Sequence, residues 1–243
     1  MIDKIVKHYF NDLNEGKKEK VRKQIVLDYI NNHKINLQEM YNWLLNNQND
    51  SNSIYLLGYF NYHGIETDDN KQKALELYQK ATNLGNDLAQ FKLAKMYMDG
   101  IGVSKNYDKT FELSKKLAKN YSCGINLLGC CYVRGIGTHI DLQKAFELYQ
   151  RAADLGNLQG ISNLGNCYKE GFGTDINIQK AFELYQKAAN SGNDVAQYNL
   201  ALMYENGNGI KKDIDNAIYW YKKSFEQGNK NAQKKIENIL KVI

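Results

Sequence analysis

A single motif recurs five times between residues 53 and 228, and that repetition limits this chain to a narrow set of architectures. Aligned on a step that reads Lys-Ala in three of the copies, the motif has the anchors Ala74, Thr110, Ala145, Ala181 and Ala217. The intervals are 36, 35, 36 and 36 residues. A fixed period of this size marks a solenoid, in which each unit is one supersecondary motif that cannot bury its apolar face alone. The period points to a binding surface more than to a catalytic centre.

One copy shows the plan. Gly160, Leu164, Gly165, Cys167 and Tyr168 fall on one helical face, and Gly171-Phe172-Gly173 then breaks the pattern. A second helical run, Ala181, Phe182, Leu184, Tyr185, Ala188 and Ala189, stops at Gly192-Asn193. Each unit therefore reads helix A, glycine turn, helix B, glycine stop. Gly64, Gly100, Gly135, Gly171 and Gly207 follow helix A, where a helix end commonly takes a left-handed residue. Copy two, with Tyr121 in place of the closing glycine and Thr110 as its anchor, is expected to be the least regular.

Small residues open helix A (Ser53, Ala89, Gly124, Gly160, Ala196), and leucines recur four residues on (Leu57, Leu93, Leu128, Leu164, Leu200). That alternation is what interdigitated packing requires. On helix B, Glu76–Lys80, Glu112–Lys116, Glu147–Arg151 and Glu183–Lys187 have the spacing of ion pairs on a solvated face.

These residues resemble the Sel-1-like repeat, a relative of the tetratricopeptide repeat. The third copy carries its pattern in Gly124, Leu128, Gly129, Tyr132, Gly135, Gly137, Asp141, Lys144, Ala145, Tyr149, Ala152, Ala153, Gly156 and Asn157. The first copy departs from it, with Asn61 for the tyrosine and Glu66 for the second glycine. The resemblance implies an all-α, right-handed superhelical solenoid of helix pairs that serves as an adaptor for protein complexes. Some relatives are stapled by cysteines, but the corresponding positions here hold Ala118 and Ile125. The stretch Val21 to Asn52 resembles the segment that joins a kinase-like domain to such repeats in some signalling proteins. No kinase motif accompanies it.

The expected organisation is a three-helix segment over 1–52 and five repeats over 53–87, 88–123, 124–158, 159–194 and 195–230. A capping helix over 231–243 completes it. In the first segment, apolar stripes run through Ile2, Ile5, Val6, Tyr9, Phe10 and Leu13 and through Val21, Ile25, Val26, Tyr29 and Ile30. Asn36 with Glu39 forms a helix start.

Composition excludes several classes. With 32 basic and 27 acidic residues the net charge of +5 is too balanced to imply nucleic acid. The basic run Lys17, Lys18, Lys20, Arg22 and Lys23 reads as a solvated helix start, with an anionic lipid or RNA contact as the alternative. No stretch approaches the roughly 18 apolar residues of a membrane span, and the first residues lack the apolar stretch of a secretory signal. A cytoplasmic location is therefore expected, without membrane contact. Cys131 and Cys167 share a column with Phe60, Met96 and Met203, so they read as packing residues. Cys123, Cys130 and the histidines His8, His33, His63 and His139 form no ligand or triad spacing. Neither a metal, a cofactor, a small-molecule substrate nor a catalytic residue is expected.

Function is sought in the columns that vary between copies, because packing does not fix them. On helix A these are Tyr55, Tyr59, Tyr62; Phe91, Lys95, Met98; Asn126, Cys130, Val133; Ser162, Asn166, Lys169; and Tyr198, Leu202, Glu205. They would line the inner wall of the solenoid, with an aromatic amino-terminal end and a polar middle, and Tyr59 and Tyr62 would touch the partner; the alternative is that some of these aromatics, Tyr55 above all, pack against the first fifty residues. The expected role is a non-catalytic signalling adaptor that binds a partner peptide or helix in this groove. A regulatory subunit, or the repeat half, of a kinase-like protein is the alternative, and an enzyme stands third.

Overall fold

The computed structural model describes residues 1–241, which hold fourteen α-helices and no strand. Residues 242 and 243, the last of the expected capping segment, lie outside the described residues. Three helices lead: α1 (Ile2–Asn14), α2 (Glu19–Asn32) and α3 (Leu37–Asn46). Five helix pairs follow, namely α4 (Ser51–His63) with α5 (Lys71–Asn83), α6 (Asp87–Asp99) with α7 (Tyr107–Leu117), and α8 (Ser122–Arg134) with α9 (Leu142–Asp154). Then come α10 (Leu158–Glu170) with α11 (Ile178–Asn190), α12 (Asp194–Asn206) with α13 (Ile214–Glu226), and a last helix α14 (Lys230–Leu240).

Local chemistry explains the helix boundaries. An Asn or Asp side chain caps nearly every repeat helix: Asp50, Asn70, Asn86, Asn106, Asp141, Asn157, Asn177, Asn193, Asp213 and Asn229 each accept a first-turn N–H. Such a cap satisfies a donor that the helix itself leaves orphaned. At Asp50, burial alone would raise the carboxyl pKa, but the Ser53 hydroxyl and the N–H groups of Ser53 and Asn52 outweigh it and lower the value. Tyr121 occupies the cap position of α8 without a side-chain bond, and α7 before it is only 11 residues long against 13 for its counterparts. Copy two is thus irregular at both features. Each A helix ends on a left-handed glycine. The turn then closes on a recurrent bond from the cap residue of helix B to helix A: Asn70 N–H to Asn61 O, Asn106 to Tyr97, Asn177 to Tyr168 and Asp213 to Tyr204, at 2.7–2.9 Å.

The i,i+4 ion pairs expected on helix B are replaced by other partners. Glu76 and Glu112 meet Lys73 and Lys115, while Glu147 and Glu183 accept from Gln143 and Gln179. On a solvated face such pairs differ by only tenths of a kcal/mol, so the side chains take the nearer partner.

The chain divides into two compact units, residues 1–14 with 21–140, and residues 15–20 with 141–243. The core of the first gathers Ile5, Tyr9, Leu13, Val26 and Ile30 of the leading helices with Tyr55, Leu57, Tyr59, Phe60, Leu77, Tyr78 and Leu93 of the repeats. In the second, Tyr149, Leu164, Cys167, Tyr185, Leu200 and Tyr221 are buried. Gly160 and Gly165 let its helices close up: a Cβ on Gly160 would lie 2.7 Å from that of Ala152, and one on Gly165 would lie 2.8 Å from the Tyr185 ring. Edge-to-face pairs stitch successive repeats, Phe111 with Tyr132 in the first unit and Phe146 with Tyr168 and Phe182 with Tyr204 in the second. Their centroids are 5.5–5.8 Å apart.

Candidate functional site

In the first unit the leading helices cover the aromatic end of the expected groove. Helix α1 packs on α4, and Tyr9 lies 5.4 Å from the Tyr59 ring and 6.3 Å from Tyr55. Tyr55 and Tyr59 are each only 1% exposed. The expectation that Tyr55 and Tyr59 face a partner is corrected: they face the chain's own amino-terminal helix, because the apolar stripe of α1 needs an apolar surface to cover it. Two buried cations complete this region. The Arg22 guanidinium stands 5.1 Å over the Tyr9 ring, and the Lys92 ammonium lies 5.4–5.9 Å from the rings of Tyr9, Tyr59 and Tyr62. Burying a cation is costly unless other groups replace its water, and the π faces help to do so.

Tyr62 is half-buried, its carbonyl accepting from Lys71 and its ring lying against the same ammonium. Met98 is 6% exposed and belongs to a second core cluster, so it too packs rather than binds. Phe91 is half-buried against both clusters, Lys95 pairs with Asp99 at 3.1 Å, and Asn126, Cys130 and Val133 are half-buried. Near the start of the chain an open cavity of about 800 Å³ is bounded by Ile2, Ile35, Met40, Trp43 and Asp50, with Trp43 itself half-exposed.

In the second unit the stripe is partly accessible. Asn166, Lys169, Tyr198, Leu202 and Glu205 are all half-buried, with Tyr198 and Leu202 packed in part against the core around Ala201 and Tyr221, while Ser162 is fully buried and so leaves the stripe. The Asn166 side-chain oxygen accepts from Tyr185 Oη at 2.6 Å and Asn199 Nδ2 at 3.3 Å, which leaves its own amide N–H groups as donors. Burial and the nearby Glu170 charge raise the Tyr185 pKa, so this phenol stays a donor at neutral pH. Glu205 is already engaged, by Lys235 at 3.0 Å and by the Tyr221 hydroxyl. Burial and that hydrogen bond raise the Tyr221 pKa. Lys169 pairs with Glu170.

Sequence reasoning missed one feature of this unit. Lys18, assigned to a solvated helix start, donates to Asp194 Oδ2 at 2.6 Å and to Gln227 O at 3.0 Å. A single long-range contact leaves no periodic trace, so the only available signal was the density of basic residues there.

Among the described residues no three His, Cys, Asp or Glu side chains converge as metal ligands, and no helix is long and apolar enough to cross a membrane. Cys123, Cys131 and Cys167 are buried and unlinked, and burial pushes their thiols up to about 12, 11 and 11.

Capped helix pairs at a constant period define a helix-pair repeat protein. A Sel1 repeat model matches residues 51–86, 87–122, 124–157, 159–193 and 194–229, and the chain belongs to that family. A Sel1 repeat protein from Oxalobacter formigenes is 33% identical, with a TM-score of 0.68 over 79% of this chain and 77% of that one. A protective antigen of uropathogenic Escherichia coli strains, described as displaying an SLR fold, is 31% identical, with a TM-score of 0.61 over 78% of this chain and 41% of that one. A Sel1-like repeat-containing protein of Schizosaccharomyces pombe is 38% identical over 100 residues, which are 40% of this chain and only 15% of that relative. Sel1 repeats are typically protein-interaction modules, and the fold is generally non-catalytic.

Proposed function

We propose that the protein is a non-catalytic adaptor that binds an extended peptide or a helix of a protein partner on the inner wall of its second unit. One observation carries this reading: Asn166, Lys169, Tyr198 and Leu202 form a partly accessible strip of mixed polarity on consecutive A helices, with Asn166 held as a donor by Tyr185 and Asn199. Oriented amide donors suit main-chain carbonyls of a peptide, and Tyr198 and Leu202 offer apolar contact beside them. The partner is a protein, and its setting is a signalling assembly. The resemblance of Val21 to Asn52 to a kinase-to-repeat junction supports that setting.

Panning a random peptide library on the full chain tests the site. Selected peptides should lose at least tenfold in affinity for the Asn166→Ala/Tyr198→Ala variant while its circular dichroism is unchanged. Peptides that bind the variant as tightly as the native chain would place the interaction elsewhere. A second reading, a regulatory subunit for a kinase-like partner, is favoured by half-exposed Trp43 beside the open cavity in the first unit. Crosslinks from a kinase-like protein to the α3 region would support it.

A further inference from the structure

The connector after α1 behaves as a bound peptide within the second unit. Glu15 O accepts the Leu158 N–H at 2.9 Å, taking one of the donors that the start of α10 leaves unpaired. Gly16 follows with φ +75°, and a Cβ there would lie 2.9 Å from the backbone nitrogens of both Leu158 and Gln159 and 3.0 Å from Asn157 Oδ1. Conformation and space both demand glycine. Two residues on, Lys18 reaches Asp194 and the Gln227 carbonyl. The receiving groups are held from behind: Ser224 Oγ donates to Asp194 O at 2.7 Å, and the Gln227 side chain donates to Gln197 at 2.8 Å. The Asp194 side chain is only 7% exposed, so without a cation it would be a buried and uncompensated acid. Lys17 between them pairs with Glu15 at 2.9 Å.

We infer that this edge, built by the starts of α10 and α12 and the end of α13, is a peptide site that residues 15–18 fill in cis. In trans it takes a segment that turns at a left-handed glycine and places a lysine two residues after it. The backbone bond, the glycine-only contact and the lysine acceptor are three separate recognition elements, and each is specific for one feature of such a segment. A tethered strap is present at an effective concentration of about millimolar, so a partner segment enters only when the strap leaves. The site shares none of the inner-wall residues Asn166, Lys169, Tyr198 or Leu202, so either proposal can fail without the other.

The test uses the full chain and a fluorescent peptide spanning residues 12–21 of this sequence. Gly16→Val/Lys18→Ala releases the strap, and trypsin cleavage after Lys17 and Lys20 reports the release. Lys18→Gln, which keeps most of the stem, serves where the double variant does not fold. The released chain should be cleaved at least tenfold faster than the native chain and bind the peptide at least tenfold tighter. That binding should fall at least tenfold when the peptide's Lys18 is alanine or when Asp194→Asn is added to the released chain. Equal binding by native and released chains, indifference to the peptide's lysine, or a strap no more open to trypsin would each overturn the inference.

Discussion

The ring of Tyr9 meets the ring of Tyr59 edge-on, with centroids 5.4 Å apart and planes at 74°. With the Tyr9–Tyr55 contact, it joins the leading helix to the first repeat and turns what would be a groove floor into protein interior. Tyr59→Ala should therefore behave as a core truncation and cost ~3–5 kcal/mol in urea unfolding. Tyr62→Ala, at a half-buried position, should cost less. Equal and negligible costs would return Tyr59 to the surface.

The repeat core makes its own prediction. Leu164 is 2% exposed and sits beside Gly165, which leaves no room under the Tyr185 ring. Leu164→Ala should cost ~2–5 kcal/mol by opening a cavity. Gly165→Ala should cost ~1–3 kcal/mol by the opposite route, overpacking. Denaturation midpoints check both, and a midpoint unmoved in either variant would contradict the packing described.

The repeats were legible because every copy meets the same neighbours, so packing writes its demands five times. Leu164, Gly165 and the turn glycine Gly171 could be placed from spacing alone. Single contacts could not. The apolar stripe of α1 announced that Tyr9 would be buried, but nothing in its period said against what, and Lys18 carried no sign of Asp194. The stop at Gly192-Asn193 was legible, but not the cap: the Asn193 side chain begins the next helix, as Asn157 does for α10. Charge spacing on helix B misled for a physical reason: partners in water are nearly interchangeable in energy.

The four cysteines should separate by reactivity. Thiolate is the reactive form, and burial holds Cys123, Cys131 and Cys167 at pKa values of about 12, 11 and 11. Half-buried Cys130 is the accessible one. Iodoacetamide at pH 8 on the folded chain should label Cys130 first, with the other three modified only on unfolding, as peptide mass mapping would show. Early labelling of Cys123 would contradict its place beneath the leading helices.

The Tyr121 hydroxyl donates to Asp87 at 2.6 Å, joining the starts of α6 and α8. That hydrogen bond, helped by burial and the Asp87 charge, holds the phenol up at about 12 against the usual 10. A raised pKa means that the folded state keeps its proton longer than the unfolded one. The stabilisation is therefore complete below pH 10 and is lost as pH rises from about 10 to 12. Tyr121→Phe removes the hydroxyl and with it this titration. Because the pair is partly exposed, the substitution should cost only about 1 kcal/mol at pH 7. Other tyrosines and the lysines titrate alike in both chains, so the difference between them isolates this bond. The native advantage should be constant from pH 7 to 10 and vanish by about pH 12. A difference that persists at pH 12, or that is absent at pH 7, would show that Tyr121 and Asp87 are not coupled in solution.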